Sequence, residues 1–213
     1  MATQRTEPAG TPAEAVAYRP PYPTAALGTF AVWLLYVITL SPTTWFWDTS
    51  EYIATAHILG IPHPPGNPLF VVIARAWELL LSPTGLSTAV RINLFSATMG
   101  ALAHGCWFLV AHRILAFYSD RRWFRTVGAA AAVAISATAF TVWNQSNVHE
   151  KVYTVSLFTI ALLSWLAFLW RQNLDEGKDD NLIILALYIL ALSVGNHLMA
   201  FLAAPALLVF VLM

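Results

Sequence analysis

The chain has 213 residues, 58% of them hydrophobic and only 10% charged, with a mean hydropathy of +0.64. A water-soluble domain of this size needs more charge to cover its surface, so an ordinary soluble globule is excluded. The formal net charge of zero and a pI near 7.0 leave no electrostatic footprint for nucleic acid, and the single cysteine, Cys106, excludes an internal disulfide.

Residues 1–24 are rich in Pro, Ala, Thr and Glu and bury too little apolar surface to offset ordering entropy, which predicts a disordered tail. The first apolar run, Ala25 to Leu40, lacks an A-x-A-like exit and ends in Ser41-Pro42, as an uncleaved anchor does rather than a signal peptide. Further spans are expected at 88–112, 125–143, 152–170, 182–195 and 197–213, the last two short against the roughly 20 residues that a bilayer demands. Residues 25–213 therefore read as one all-α, multi-pass helical bundle of about six spans. Between the first two spans, residues 68–81 predict a helix opened by Pro68 and closed by Ser82-Pro83. At 1.5 Å per residue it reaches only about 21 Å, and it carries Arg75 and Glu78.

Arg113, Arg121, Arg122 and Arg125 crowd one loop, and Arg5 and Arg19 flank the first span, so the positive-inside rule puts both in the cytoplasm. An even number of crossings then separates them, and 68–81 is expected to lie along the outer interface. The loop from Arg171 to Asn181 falls inside. Three polar clusters land at the outer face: Trp47 to Asn67, Asn144 to Lys151, and Gly195 to His197. The sequence contains no repeat, Walker loop, zinc-ligand spacing or nucleophile elbow, and nothing in it requires a metal.

Each cluster has a plain reading beside a functional one. Asp48 and Glu51, three apart at a helix start, form either an ordinary capping box or an oriented pair of carboxylates. His63, before Pro64-Pro65, sits in a stiff segment that either returns the chain or holds the imidazole in place. Arg91 snorkels to headgroups or awaits a phosphate. Glu150 and Lys151 pair at the surface, or Glu150 caps the next helix. Asn196-His197 makes a tight helix–helix turn or contributes to a site. His104, among small residues in mid-span, reads as a packed histidine with an interhelical hydrogen bond.

In order along the chain stand Asp48-Thr49-Ser50-Glu51, His63-Pro64-Pro65-Gly66-Asn67-Pro68-Leu69, Arg91-Ile92-Asn93, Glu150-Lys151-Val152-Tyr153 and Gly195-Asn196-His197. This series resembles the bacterial family related to the animal multi-pass O-mannosyltransferase of receptor ectodomains and, more distantly, the C-type membrane glycosyltransferases. The likeness covers about residues 25–205. It departs from the family pattern at Thr49-Ser50, where Gly is usual between the acids, at Asn67, commonly aromatic, and at Lys151, where Val is expected. The resemblance implies inverting transfer of a sugar from a polyprenyl-phosphate donor to a protein or glycan acceptor at the outer face of a bacterial inner membrane. Asp48 and Glu51 are then the catalytic candidates, and His63, Asn67, Arg91, Asn93, Glu150, Tyr153, Asn196 and His197 the substrate-binding ones. The implied partners are the bilayer, the lipid-linked donor, the acceptor and other membrane proteins, with no cofactor beyond the donor itself. A non-catalytic assembly subunit and a transporter are the competing classes; a transporter would place its broken helices at the midplane.

The topology is testable by cysteine labelling in a Cys106→Ala background. Thr49→Cys is expected to react with an impermeant reagent added from outside and Ser119→Cys to be protected; labelling of both overturns the orientation.

Overall fold

The computed structural model describes residues 18–147, 151–177 and 181–212, and these are helical with no strand among them. The order is α1 (Tyr22–Ile38), α2 (Thr49–Ile58), α3 (Pro68–Leu80), a short 3-10 turn (Ser82–Thr84), α4 (Thr88–Leu115), α5 (Arg122–Thr138), α6 (Phe140–Asn147), α7 (Val152–Asp175), α8 (Asn181–Val194), a 3-10 segment (Leu198–Ala203) and α9 (Ala204–Leu212).

Helix α4 is the hub, packed against α1, α5, α6 and α7. Its buried face carries Ala97, Gly100, Ala101, Ala103 and Gly105, the small residues that let helices approach closely where lipid supplies no hydrophobic drive. A Cβ on Gly100 would meet Ser146 Oγ of α6 at 2.6 Å and Tyr36 of α1 at 3.2 Å, and one on Gly105 would collide with Thr29 Oγ1 of α1. His104 binds the carbonyl of Gly100 at 2.7 Å and reaches Ser136 Oγ of α5 at 3.2 Å, the interhelical bond expected of it.

Among the described residues two helices, α4 and α7, are long and apolar enough to cross a membrane, and α5 with α6 makes a third if the bent pair counts as one span. Here the structure departs from the expected spans. The run 125–143 breaks at Ala139 with a 64° bend, although neither Pro nor Gly stands at the break. The break is held from outside: Tyr36 OH donates to the Ala137 carbonyl at 3.1 Å, and Trp143 Nε1 donates to Thr39 Oγ1 at 2.9 Å. The expected spans at 25–40 and 182–195 appear as apolar helices of 17 and 14 residues. The run 197–213 opens as a 3-10 segment, because His197 turns extended and its Nδ1 accepts from Met199 N.

The two ends of the bundle differ in chemistry. At one end Tyr18 OH shares a hydrogen bond of 2.8 Å with His112 Nδ1, Gln172 Nε2 donates to the Tyr18 carbonyl, and Arg113 lies over the Tyr18 ring at 4.5 Å. The start of α1, the arginine loop and the end of α7 therefore share an end, as the charge pattern predicts. At the other end Asn93, in the second turn of α4, donates to the Ser41 and Thr43 carbonyls at 2.8 and 3.2 Å. Asn93 and Arg113 stand twenty residues apart on α4, about 30 Å at 1.5 Å per residue, which is the thickness of a hydrocarbon core.

Gly105→Val is expected to lower stability in detergent by about 1–3 kcal/mol through overpacking, read as a drop in thermal midpoint. Adding Thr29→Ala should restore part of it. A lone Gly105→Val of undiminished stability contradicts this close approach.

Candidate functional site

The polar end is assembled from loops that the helices deliver. Asn93 pins the backbone after α1, Thr49 Oγ1 donates to the Phe46 carbonyl at 3.1 Å, and α2 begins at once behind Asp48. After α2, Leu59 adopts a left-handed conformation and Gly60 N bonds back to Thr55 O at 2.8 Å. The chain then doubles back along α2. Gly66, at φ +88°, closes a turn onto the His63 carbonyl at 2.9 Å. That reversal lays His63 against the first turn of α2.

Glu51 Oε1 accepts from the His63 backbone N–H at 2.6 Å and Oε2 from the ring Nδ1 at 2.8 Å. A carboxylate only accepts, so Nδ1 carries the proton. The other ring nitrogen, Nε2, lies 4.0 Å from Asp48 Oδ2. Ligand-type atoms of Asp48, Glu51 and His63 all fall within 4.8 Å of one another, an arrangement able to hold a metal ion. The capping-box reading is corrected: Asp48 occupies the N-cap position, but its side chain makes no capping bond. Glu51 is drawn to His63 because the reversed loop brings a backbone N–H and a ring N–H together. These hydrogen bonds, from the ring first and the backbone second, hold the Glu51 carboxyl below its ordinary range.

Asn67, expected to bind substrate, is 1% exposed and serves as a joint. Its Oδ1 accepts from Tyr52 OH at 3.0 Å and its Nδ2 donates to the Asn196 carbonyl at 2.5 Å. Asn196 Nδ2 donates in turn to Val152 O and Ser156 Oγ, both at 2.9 Å. Leu69 N donates to Gly195 O at 2.9 Å. The first and third clusters and the start of α7 thus meet, and the Tyr153 and His197 rings lie 5.3 Å apart beside this joint. Glu150 lies outside the described residues. Next to it, Lys151 is fully buried and burial pushes its amine down to about 7; its Nζ has no hydrogen-bond partner among the described residues. Sequence reading gave Lys151 a surface pairing, because nothing local signals its burial.

Arg91 is elsewhere. Its Nη2 lies 2.9 Å from Glu78 Oε1, Nη1 donates to the Glu78 carbonyl at 3.0 Å, and Arg75 pairs with the same carboxylate. His57 Nδ1 stands 3.3 Å from Glu78. Burial pushes the Glu78 carboxyl up, but the Arg75 and His57 hydrogen bonds and the Arg91 charge outweigh it and hold it below the ordinary range. His57 ends α2 and Asp48 begins it, about 13 Å apart along a helix of 1.5 Å rise. Asp48 and His63 therefore come together, while Arg91 belongs to a separate ionic cluster. Two larger grooves, of about 390 Å³ beside α1 and α5 and about 660 Å³ beside α8 and α9, are lined almost wholly by apolar side chains and belong to the flanks of the bundle.

Residues 48–213 match the family described as the protein O-mannosyl-transferase TMEM260 N-terminal domain, a match that opens at Asp48 itself. The chain belongs to this family. Protein O-mannosyl-transferase TMEM260 of Mus musculus is 28% identical over 150 residues, which cover 70% of this chain and 20% of the mouse protein. The Dictyostelium discoideum protein O-mannosyl-transferase tmem260 is 24% identical over 153 residues, 70% of this chain and 17% of that one. The chain thus spans about a fifth of the length of these relatives. No solved structure matches it. Family membership and the apolar helices make it an integral membrane protein of an O-mannosyltransferase-like family.

Glu78 is 1% exposed, and its loss leaves Arg75 and Arg91 without their shared counter-charge. Glu78→Gln should destabilise the protein by on the order of 3 kcal/mol, as breaking a buried ion pair does. Thermal unfolding in detergent checks this, and an unchanged midpoint refutes a structural role for the cluster.

Proposed function

We propose that this chain is the N-terminal membrane module of an inverting glycosyltransferase. It moves a sugar, mannose by family, from a polyprenyl-phosphate donor to an acceptor hydroxyl such as protein Ser or Thr. In this reading the tail drawn at residues 1–24 is cytoplasmic, its last residues, from Tyr18, packing on the bundle and opening α1, and residues 25–213 form a C-type bundle of about six spans. The α3 helix lies along the outer interface, and the polar end faces the exterior, the periplasm if the source is bacterial. The observation that carries the reading is the Asp48–His63–Glu51 constellation, at the end of α4 opposite the arginines.

The chemistry follows from what each group is left to do. An acceptor hydroxyl attacking the anomeric carbon must lose a proton. Asp48, whose carboxylate is not engaged in capping α2, is the acceptor for it. Glu51 is committed to His63 by two hydrogen bonds and acts by fixing the imidazole. The C1–oxygen bond to the acceptor forms as the C1–oxygen bond to phosphate breaks, so one displacement inverts the anomeric centre. Tyr153 and His197 border the site and contact the sugar or acceptor; Asn67, Asn93 and Asn196 shape it from beneath. Arg91 contributes through the outer-end scaffold, and Glu150 supplies a further polar contact.

Asp48→Asn should cut transfer by about 10²–10⁴, the usual contribution of a general base, while leaving folded yield unchanged. Glu51→Gln should fall between that variant and wild type, since an amide oxygen still accepts from the His63 N–H. The assay uses polyprenyl-phosphate mannose and a Ser/Thr peptide. Wild-type transfer by Asp48→Asn removes the assignment, and absence of transfer by the intact protein with every polyprenyl-phosphate donor favours the non-catalytic subunit.

A further inference from the structure

The acid pair and the phosphate donor sit awkwardly together. Asp48 and Glu51 bring two carboxylates to one spot, and among the described residues neither forms an ion pair with Lys or Arg. Arg75 and Arg91 are bound to Glu78 at the far end of α2. A donor phosphate approaching this face meets like charge, and its departure with a further negative charge needs a positive group that these side chains do not supply.

The geometry around His63 has a shape that fits such a group. Glu51 accepts a hydrogen bond from Nδ1–H, which leaves Nε2 of the neutral tautomer to offer its lone pair, the carboxylate–histidine arrangement that orients imidazole ligands toward a metal. Nε2 faces Asp48 Oδ2 across 4.0 Å. That gap is too long for a hydrogen bond. Two ligands each about 2.0–2.2 Å from one ion stand roughly 3.0–3.4 Å apart, so a side-chain rotation of about half an ångström to one ångström brings both onto a shared ion. Both groups are accessible, with side chains 43% and 39% exposed. Asp48 also stands at an N-cap position without using its side chain to cap, so its carboxylate is turned to this gap at the expense of a bond that Asp at this position normally makes.

We propose that His63 Nε2 and Asp48 Oδ2 hold a divalent transition-metal cation, with Glu51 fixing the imidazole behind it. The mixed nitrogen and carboxylate set suits Mn²⁺ or Zn²⁺ better than Ca²⁺ or Mg²⁺. With only two protein ligands, the remaining positions belong to water, the donor phosphate and the acceptor hydroxyl, as where one or two carboxylates and substrate phosphates share an ion. This deepens the glycosyltransferase reading and rests on it for the identity of those further ligands. In the displacement the acceptor proton passes to Asp48 Oδ1, the acceptor oxygen bonds to C1, and the phosphate leaves with the electrons of its bond to C1 on an oxygen that the cation neutralises.

The test is binding of Mn²⁺ to the purified full chain in detergent, read by loss of the free-ion electron paramagnetic resonance signal, with Zn²⁺ as competitor. One ion should bind per chain. Asp48→Asn and His63→Gln should each abolish that binding, Glu51→Gln should weaken it by about 10- to 100-fold, the usual effect of losing an orienting partner, and Asp120→Asn at the opposite end should leave it unchanged. Circular dichroism confirms that each variant is folded. Absence of binding at millimolar Mn²⁺ and Zn²⁺, or binding unaffected by both Asp48→Asn and His63→Gln, overturns the proposal. A transfer assay after chelation separates the two readings. Full transfer by metal-free protein overturns the cation and leaves the transferase standing; ion binding that follows the variants without transfer supports the cation and removes the transferase.

Discussion

Wherever a helix breaks at the edge of a bilayer, the backbone groups it releases must find partners within the protein, because lipid supplies none. The polar end of this bundle is organised by that constraint. Asn93 takes in the carbonyls of Ser41 and Thr43 after α1 ends. Asn67 takes the Asn196 carbonyl where α8 gives way to the 3-10 segment. Asn196 takes the Val152 carbonyl at the start of α7, and Tyr36 takes the Ala137 carbonyl at the bend between α5 and α6. Each break is closed by a side chain from a distant part of the sequence. The broken segments converge for that reason, and the constellation around His63 stands on the platform they form.

Much of the helical plan was legible in the chain. Pro68 opens α3 where Pro suits a first turn, and Gly195-Asn196-His197 separates two apolar runs as expected. The span opened by Val152 was readable from its continuous hydrophobicity, and His104 from the small residues around it. The bend at Ala139 was not, since its cause lies about a hundred residues away in Tyr36 and Thr39 rather than in local Pro or Gly. Local pattern reads propensity; it does not read a partner supplied by another helix.

The same limit divides the candidate site. Asp48, Glu51 and His63 were identifiable by residue type and loop context, and they meet. What their spacing suggested for the acids, a capping box, was overridden by a loop whose reversal depends on the left-handed Leu59 and the turn at Gly66. Asn67, Asn93 and Asn196 entered the candidate site through the family resemblance, and the structure shows their side chains engaged with backbone carbonyls and with Tyr52 and Ser156. Arg91 read as a partner for headgroups or for a phosphate, and the structure pairs it with Glu78, thirteen residues earlier. A carboxylate within an apolar run was the available signal, and it pointed to a counter-ion rather than to a substrate.

The Glu78 cluster also bears on how the chain is made. Arg75 and Glu78 are three residues apart on α3, so they can neutralise one another as soon as that helix winds, without any residue downstream of it. Arg91 joins only after the Ser82–Thr84 turn reverses the chain and α4 begins. Within itself the α3 segment is therefore a nearly neutral amphipathic helix. Closure of the hairpin is then registered by a third charge that arrives late. A fragment ending before Arg91 would keep the Arg75–Glu78 pair of α3 and lack the charge that ties α3 to α4.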